Sequence, residues 1–165
     1  MAEITMGGKP VHTNGHLPQK GLPAPDFRLW RTDMSEASLL DYRGSKLVLN
    51  IFPSIDTSTC AMSIRKFNEK AASLTNTKVL CISRDLPEAQ KHFCGVEEIA
   101  NVETLSDFKD GNFGKTYGLE MTDGKLEGLH SRVVIVLDEN GIILHTEQVY
   151  DISDEPNYEA ALAAL

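Results

Sequence analysis

Apolar and polar positions along this chain switch between two periods. Leu47-Val48-Leu49-Asn50-Ile51-Phe52 is an almost continuous apolar run, the pattern of a strand covered on both faces. Apolar residues then recur at Ile64, Phe67, Ala71 and Leu74, which predicts a helix over 61–74. Lys78 to Ser83, centred on Val79-Leu80-Cys81-Ile82, predicts a second buried strand. Pro87 suits the first turn of a helix running through Ala89 and Phe93, with Gly95 as its stop. Val102 to Leu105 predicts a weak strand, Asn112 to Tyr117 a short helix, and Arg132 to Leu137 a strong strand rich in β-branched residues. Glu139-Asn140-Gly141 turns that strand into another over Ile142 to Val149. Pro156 precedes an Ala- and Leu-rich helix ending at Leu165.

Upstream, Asn14-Gly15 is a hairpin-type turn signal. It predicts a small N-terminal hairpin followed by an extended segment through Pro23-Ala24-Pro25. Phe27 to Trp30 predicts a short strand and Ser35 to Tyr42 one helical turn. Strands alternating with helices imply βαβ units and a mostly parallel sheet covered on both faces, to which the closing hairpin adds antiparallel strands. The expected fold class is α/β: a thioredoxin-like α/β sandwich with a central mixed sheet and an added N-terminal β-hairpin.

Composition narrows the partners more than the fold. A chain of 165 residues has room for a real core and suggests a single domain over 1–165. Lys and Arg number 16 against 24 Asp and Glu, a formal net charge of -8, which offers no general attraction to nucleic acid or to anionic lipid. No apolar run is long enough for a transmembrane helix. Met1-Ala2-Glu3-Ile4-Thr5-Met6-Gly7-Gly8 lacks the basic start and apolar core of a secretory signal, so the cytoplasm is the expected compartment.

The chemistry lies in the cysteines. Cys60, Cys81 and Cys94 are too few and too scattered for a disulfide framework, and no Cys-x-x-Cys pair exists. His92-Phe93-Cys94 lacks a second pair of ligands, so no metal is expected. Cys81 lies inside an apolar strand and is expected to be buried. Cys60 stands where the strand ending at Phe52 gives way to the first turn of a helix. The free N–H groups and dipole of a helix start favour a negative charge, and hence a thiolate. A lone reactive cysteine at that place points to thiol redox chemistry.

Pro53, Thr57 and Cys60 match the Pro-x-x-x-Thr-x-x-Cys signature of peroxiredoxins, and Arg132, opening a late strand, matches the arginine that completes their site. The chain most resembles the bacterial thiol peroxidases, the atypical two-cysteine peroxiredoxins. Four stretches carry that likeness: Ile4 to Val11, Gly21 to Phe27, Pro53 to Cys60, and Cys81-Ile82-Ser83-Arg84-Asp85-Leu86-Pro87 leading to Cys94. One departure is visible, Thr59 where the subfamily commonly has valine. Its hydroxyl is expected to rearrange hydrogen bonds beside the thiolate and so affect rate or substrate preference.

A thiolate that cleaves a peroxide needs its own charge stabilised, the O–O bond aligned and the leaving oxygen stabilised. Cys60 is the expected nucleophile. Arg132 would favour the thiolate and orient the peroxide with a fixed fork of donors. The Thr57 hydroxyl would hold first thiolate and then peroxide, or cap the helix; Pro53 would shield the pocket. Attack leaves a sulfenic acid that condenses with a second thiol, and Cys94 is the resolving candidate that the resemblance also suggests. The resemblance further implies hydrogen peroxide and alkyl hydroperoxides as substrates, thioredoxin as reductant, a homodimer, and no cofactor. A one-cysteine peroxidase, a peroxide sensor and a non-catalytic thioredoxin-fold module stay open beside this reading.

Overall fold

A computed structural model describes all 165 residues. Its elements in chain order are β1 (Glu3–Met6), β2 (Lys9–His12), β3 (Arg28–Trp30), β4 (Glu36–Ser38), a 3-10 turn (Leu39–Tyr42), β5 (Lys46–Ile51), α1 (Ser58–Ala71), β6 (Thr77–Ser83), α2 (Pro87–Val96), β7 (Glu103–Ser106), α3 (Asn112–Thr116), β8 (Val133–Leu137), β9 (Ile143–Gln148) and α4 (Tyr158–Ala163). β1 and β2 pair alone; the rest form a seven-stranded sheet in the order β4-β3-β7-β6-β5-β8-β9.

The strands at the middle of this sheet are apolar on both faces because both faces are covered. Leu47, Leu49 and Ile51 of β5 join Val133, Ile135 and Leu137 of β8 and Leu80 and Ile82 of β6 in one core with Phe27, Phe113 and Tyr117. The alternate residues Val48, Phe52, Val79, Cys81, Val134 and Val136 form the opposite core with Ile64 and Phe67 of α1 and Ala161 of α4. A strand's period of two thus divides one apolar run between two helix layers. No helix is long and apolar enough to cross a membrane.

Four sequence expectations change. The sheet is mixed, as expected, but antiparallel pairings outnumber parallel ones: β5–β6 and β6–β7 run parallel, whereas β3–β4, β3–β7, β5–β8 and β8–β9 run antiparallel. The N-terminal hairpin turns at Gly7-Gly8, not at Asn14-Gly15. Both glycines take positive φ (58° and 83°), the conformation a two-residue hairpin turn requires. The Asn14 side chain instead accepts from the Glu120 N–H (3.1 Å) and donates to Lys115 O (3.0 Å), pinning the following segment to a distant loop. The turn expected over 35–42 divides into β4, paired with β3, and the 3-10 turn, where the Asp41 carboxylate accepts the Ser38 N–H. Finally, α1 begins at Ser58 rather than at 61 and ends at Ala71, so Cys60 lies within its first turn.

Candidate active site

The loop between β5 and α1 is built by a residue outside it. Beyond the buried Phe52 and Pro53, Ser54 Oγ donates to the Asp85 carboxylate (2.7 Å), as do the Ile55 N–H (2.9 Å) and Ser83 Oγ (2.6 Å). Asp85 sits two residues past β6 and so fixes the loop to the sheet. Thr57 is the N-cap residue of α1, with extended backbone (φ -95°, ψ 143°) and no side-chain cap bond. Its N–H and its hydroxyl both donate to Ser54 O, at 3.2 and 3.1 Å. Having given its proton away, the Thr57 hydroxyl oxygen is left as an acceptor. The first helical bond runs from the Ala61 N–H to Thr57 O (3.0 Å), and the N–H groups of Ser58, Thr59 and Cys60 have no backbone acceptor. These free donors form the positive end of α1.

Cys60 is fully buried, packed in the core that contains Phe52, Ile55 and Ile64. Arg132, the residue before β8, is buried too, with Nη2 donating to Cys60 Sγ at 3.3 Å. Its Nε and Nη2 also donate to Ile152 O, at 2.9 and 2.8 Å, while Nη1 has no partner. None of the chain's salt bridges joins Arg132 to a carboxylate. A buried cation needs a compensating charge, and Cys60 Sγ is the side-chain atom that Arg132 reaches.

A cavity of about 240 Å³ is lined by Arg132, while Cys60 lies behind its wall. Thr57 and Arg132 form its polar end, while Pro53, Ile152, Met6 of β1 and Leu126 supply apolar walls. Thr59 also borders it, and its hydroxyl donates to Ser153 O (3.0 Å). A valine at this position would lack that bond.

Cys94 lies elsewhere. It is half-buried on α2 and borders a separate cavity of about 330 Å³ together with Arg31, Lys91 and Thr104 of β7. Burial pushes its thiol up, a hydrogen bond with Thr104 opposing. All three cysteines are free. Cys60 follows β5 whereas Cys94 sits over β7, two strands away in the sheet. At about 4.8 Å per strand that is roughly 10 Å, beyond the Cα separation of about 4.4–6.8 Å that a disulfide spans. α1 is held to the residue capping the end of α2 by Arg65 and Glu97 (2.7 Å), and to the loop beyond it by the Asn101 N–H donating to Asn68 Oδ1 (2.7 Å). Burial pushes the Cys81 thiol up to about 12, so it stays protonated and inert at neutral pH.

Pro53, Thr57, Thr59, Cys60 and Arg132 therefore converge, and Cys94 stands apart. Sequence reasoning had assigned no role to Asp85 or Ile152. An acidic residue just past a central strand was a weak signal for Asp85. Ile152 acts through its backbone carbonyl, which leaves no side-chain signal.

A family model for Redoxin matches residues 19–162. A thiol peroxidase of Corynebacterium glutamicum is 52% identical over 165 residues, covering 100% of this chain and 99% of its own length. A thiol peroxidase of Mycobacterium tuberculosis is 48% identical with the same coverage. Among solved structures, a peroxiredoxin-like protein from Aquifex aeolicus superposes with a TM-score of 0.92 at 32% identity, covering 99% of this chain and 96% of the other. A thiol peroxidase from Chromobacterium violaceum gives 0.90 at 21% identity, over 98% and 93%, a likeness of fold alone.

Proposed function

The chain belongs to the Redoxin family, among the thiol peroxidases, and is a thiol-dependent peroxidase of the peroxiredoxin type; from that premise we propose that Cys60 is the peroxidatic cysteine and Cys94 its resolving partner. The observation that carries the first assignment is the buried Arg132, 3.3 Å from Cys60 Sγ and without a carboxylate partner.

The Cys60 thiolate attacks one peroxide oxygen. An S–O bond forms as the O–O bond breaks, sulfur supplies the electron pair, and the second oxygen leaves as hydroxide or alkoxide and takes a proton from water. The unpartnered Nη1 of Arg132 and the free N–H groups at the start of α1 stabilise the developing charge. The Thr57 oxygen accepts the peroxide O–H and so orients the bond under attack. Pro53 walls the site without donating a hydrogen bond. The apolar walls suit the chain of an alkyl hydroperoxide, and hydrogen peroxide fits the same polar end.

The resulting Cys60 sulfenic acid then meets the Cys94 thiol: an S–S bond forms, the S–O bond breaks, and the hydroxyl leaves as water with the proton that Cys94 gives up. Because the two residues stand apart in the reduced fold, the first turn of α1 and the end of α2 unwind to bring them together. Helix ends are the segments with the lowest local stability, which favours this opening. Thioredoxin, an external dithiol, closes the cycle by reducing the disulfide. The working form is a homodimer of single-domain chains in the cytoplasm, needing no cofactor.

The test is intact and peptide mass spectrometry after one equivalent of cumene hydroperoxide without reductant. The expected product has lost two hydrogens and yields a Cys60–Cys94 crosslinked peptide, with Cys81 unmodified. Cys94→Ser should then stop at an oxygenated Cys60 and lose thioredoxin-supported turnover. The separation between the two cysteines favours one rival, a one-cysteine peroxidase. That reading prevails if Cys60 gains oxygen while Cys94 stays free in the parent chain, and the Cys94→Ser variant keeps its turnover.

A further inference from the structure

Three consecutive residues between β9 and α4 each reach a different part of the molecule. Asp151 accepts from Thr5 Oγ1 (2.7 Å), the Gly8 N–H (2.9 Å) and the Gly7 N–H (3.3 Å), all in the N-terminal hairpin. The positive-φ turn at Gly7-Gly8 thus presents two amides to one carboxylate. Around them, the Thr5 N–H donates to Tyr150 O (2.7 Å) and the Ile152 N–H to Thr5 O (2.9 Å). Ile152 O in turn receives two N–H groups of Arg132. Ser153 O receives the Thr59 hydroxyl from the first turn of α1. Asp151 also accepts from the Ser153 hydroxyl and the Ser153 N–H, folding the segment back on itself and setting where its carbonyls face. The Ser153 donors foremost, then those of Gly8 and Thr5, hold the Asp151 carboxyl well below the usual carboxylate range, so it is ionised throughout the neutral range.

We infer that residues 151–153 are a strap that makes the N-terminal hairpin part of the catalytic apparatus, with Asp151 as a positioning residue for Arg132. The inference rests on the reading of Arg132 as partner of the Cys60 thiolate. Arg132 spends two of its five N–H groups on a backbone carbonyl, so the path of that backbone decides where the remaining three face. The path is fixed from the hairpin side by Asp151. Thr59 adds a second tie at the helix side, so the strap spans both the arginine and the turn that carries the nucleophile.

A clamp that merely holds the hairpin makes a different prediction, and the molecule supplies the control. The hairpin has a second anchor in Asp123, which accepts the His12 N–H (2.8 Å) and meets His12 Nδ1 (2.7 Å). None of Arg132's hydrogen bonds goes to that loop. Asp151→Ala and Asp123→Ala are compared by the rate of Cys60 alkylation at pH 7 and by the second-order rate with cumene hydroperoxide. Asp151→Ala should slow both between about ten- and a hundredfold, the scale of a small misplacement of a reacting group. Asp123→Ala should leave both within twofold, whatever it does to the melting temperature. If Asp151→Ala fails to fold, Thr5→Val should slow both rates and Thr5→Ser should restore them. Arg132→Met is run in parallel. Should it leave alkylation unchanged, the reading of Arg132 falls and the strap with it. Should it slow alkylation while Asp151→Ala or Thr5→Val behaves like Asp123→Ala, the strap alone is overturned.

Discussion

Replacing Cys60 with serine should abolish peroxide reduction while the chain keeps its fold. Serine is close in shape to cysteine and the site is fully buried, so packing of the surrounding core changes little. What is lost is the nucleophile: a hydroxyl beside Arg132 does not ionise near neutral pH, and an alcohol oxygen has no route to a sulfenic acid. Removing a nucleophile of this kind costs on the order of 10⁴-fold or more in rate. Peroxide consumption measured with a thioredoxin system should fall to the uncatalysed background, with an unchanged far-ultraviolet circular dichroism spectrum. A variant with activity within tenfold of the parent would remove Cys60 from the mechanism.

Arg132→Lys should be the next most damaging change. The ammonium keeps the positive charge, but a single nitrogen cannot reproduce the fork that reaches Ile152 O with Nε and Nη2, Cys60 Sγ with Nη2, and still leaves Nη1 free. Loss of one oriented donor at a site of developing charge costs about 10²–10³-fold. The second-order rate with hydroperoxide should drop by that amount, while reduction of a preformed Cys60–Cys94 disulfide by thioredoxin keeps its rate. An unchanged peroxide rate would make Arg132 a structural residue.

That Pro53, Thr57, Cys60 and Arg132 come together was legible in the sequence because the signals are local. Pro53, Thr57 and Cys60 share one strand-to-helix junction, and Arg132 opens a strand whose apolar run announces burial. The central strands were legible for the same reason, since an unbroken apolar run such as Val133 to Leu137 demands cover on both faces. The antiparallel pairing of β5 with β8 was not, because the two strands are far apart in the chain and periodicity carries no sense of direction. The hairpin turn was misplaced because Asn14-Gly15 and Gly7-Gly8 both suit a turn. The choice falls to tertiary contacts, the Asn14 side chain being held by Lys115 and Glu120. Thr57 was expected to reach the helix start or the thiol, yet its hydroxyl turns to Ser54 O, a choice between nearby acceptors that spacing cannot make. The strap was invisible, since two of its three residues act through main-chain oxygens.

One consequence follows from Arg132 having no carboxylate partner. On the proposed mechanism its counter-ion is the Cys60 thiolate, which the reaction destroys: a sulfenic acid or a disulfide sulfur is neutral, so each turnover would strand a cation in the core. Breaking a buried charge pair costs about 3–5 kcal/mol, moderated here by the two donors that Ile152 O retains. Water entering as the first turn of α1 unwinds relieves that cost. The protein would then be spring-loaded by its own chemistry, rigid while waiting for peroxide and loosened only after consuming it. Amide hydrogens of Ser58 to Ala61 should exchange faster in the oxidised Cys94→Ser chain than in the reduced one, and equal exchange would disprove the coupling. Reduction would then restore the anion and reset the latch.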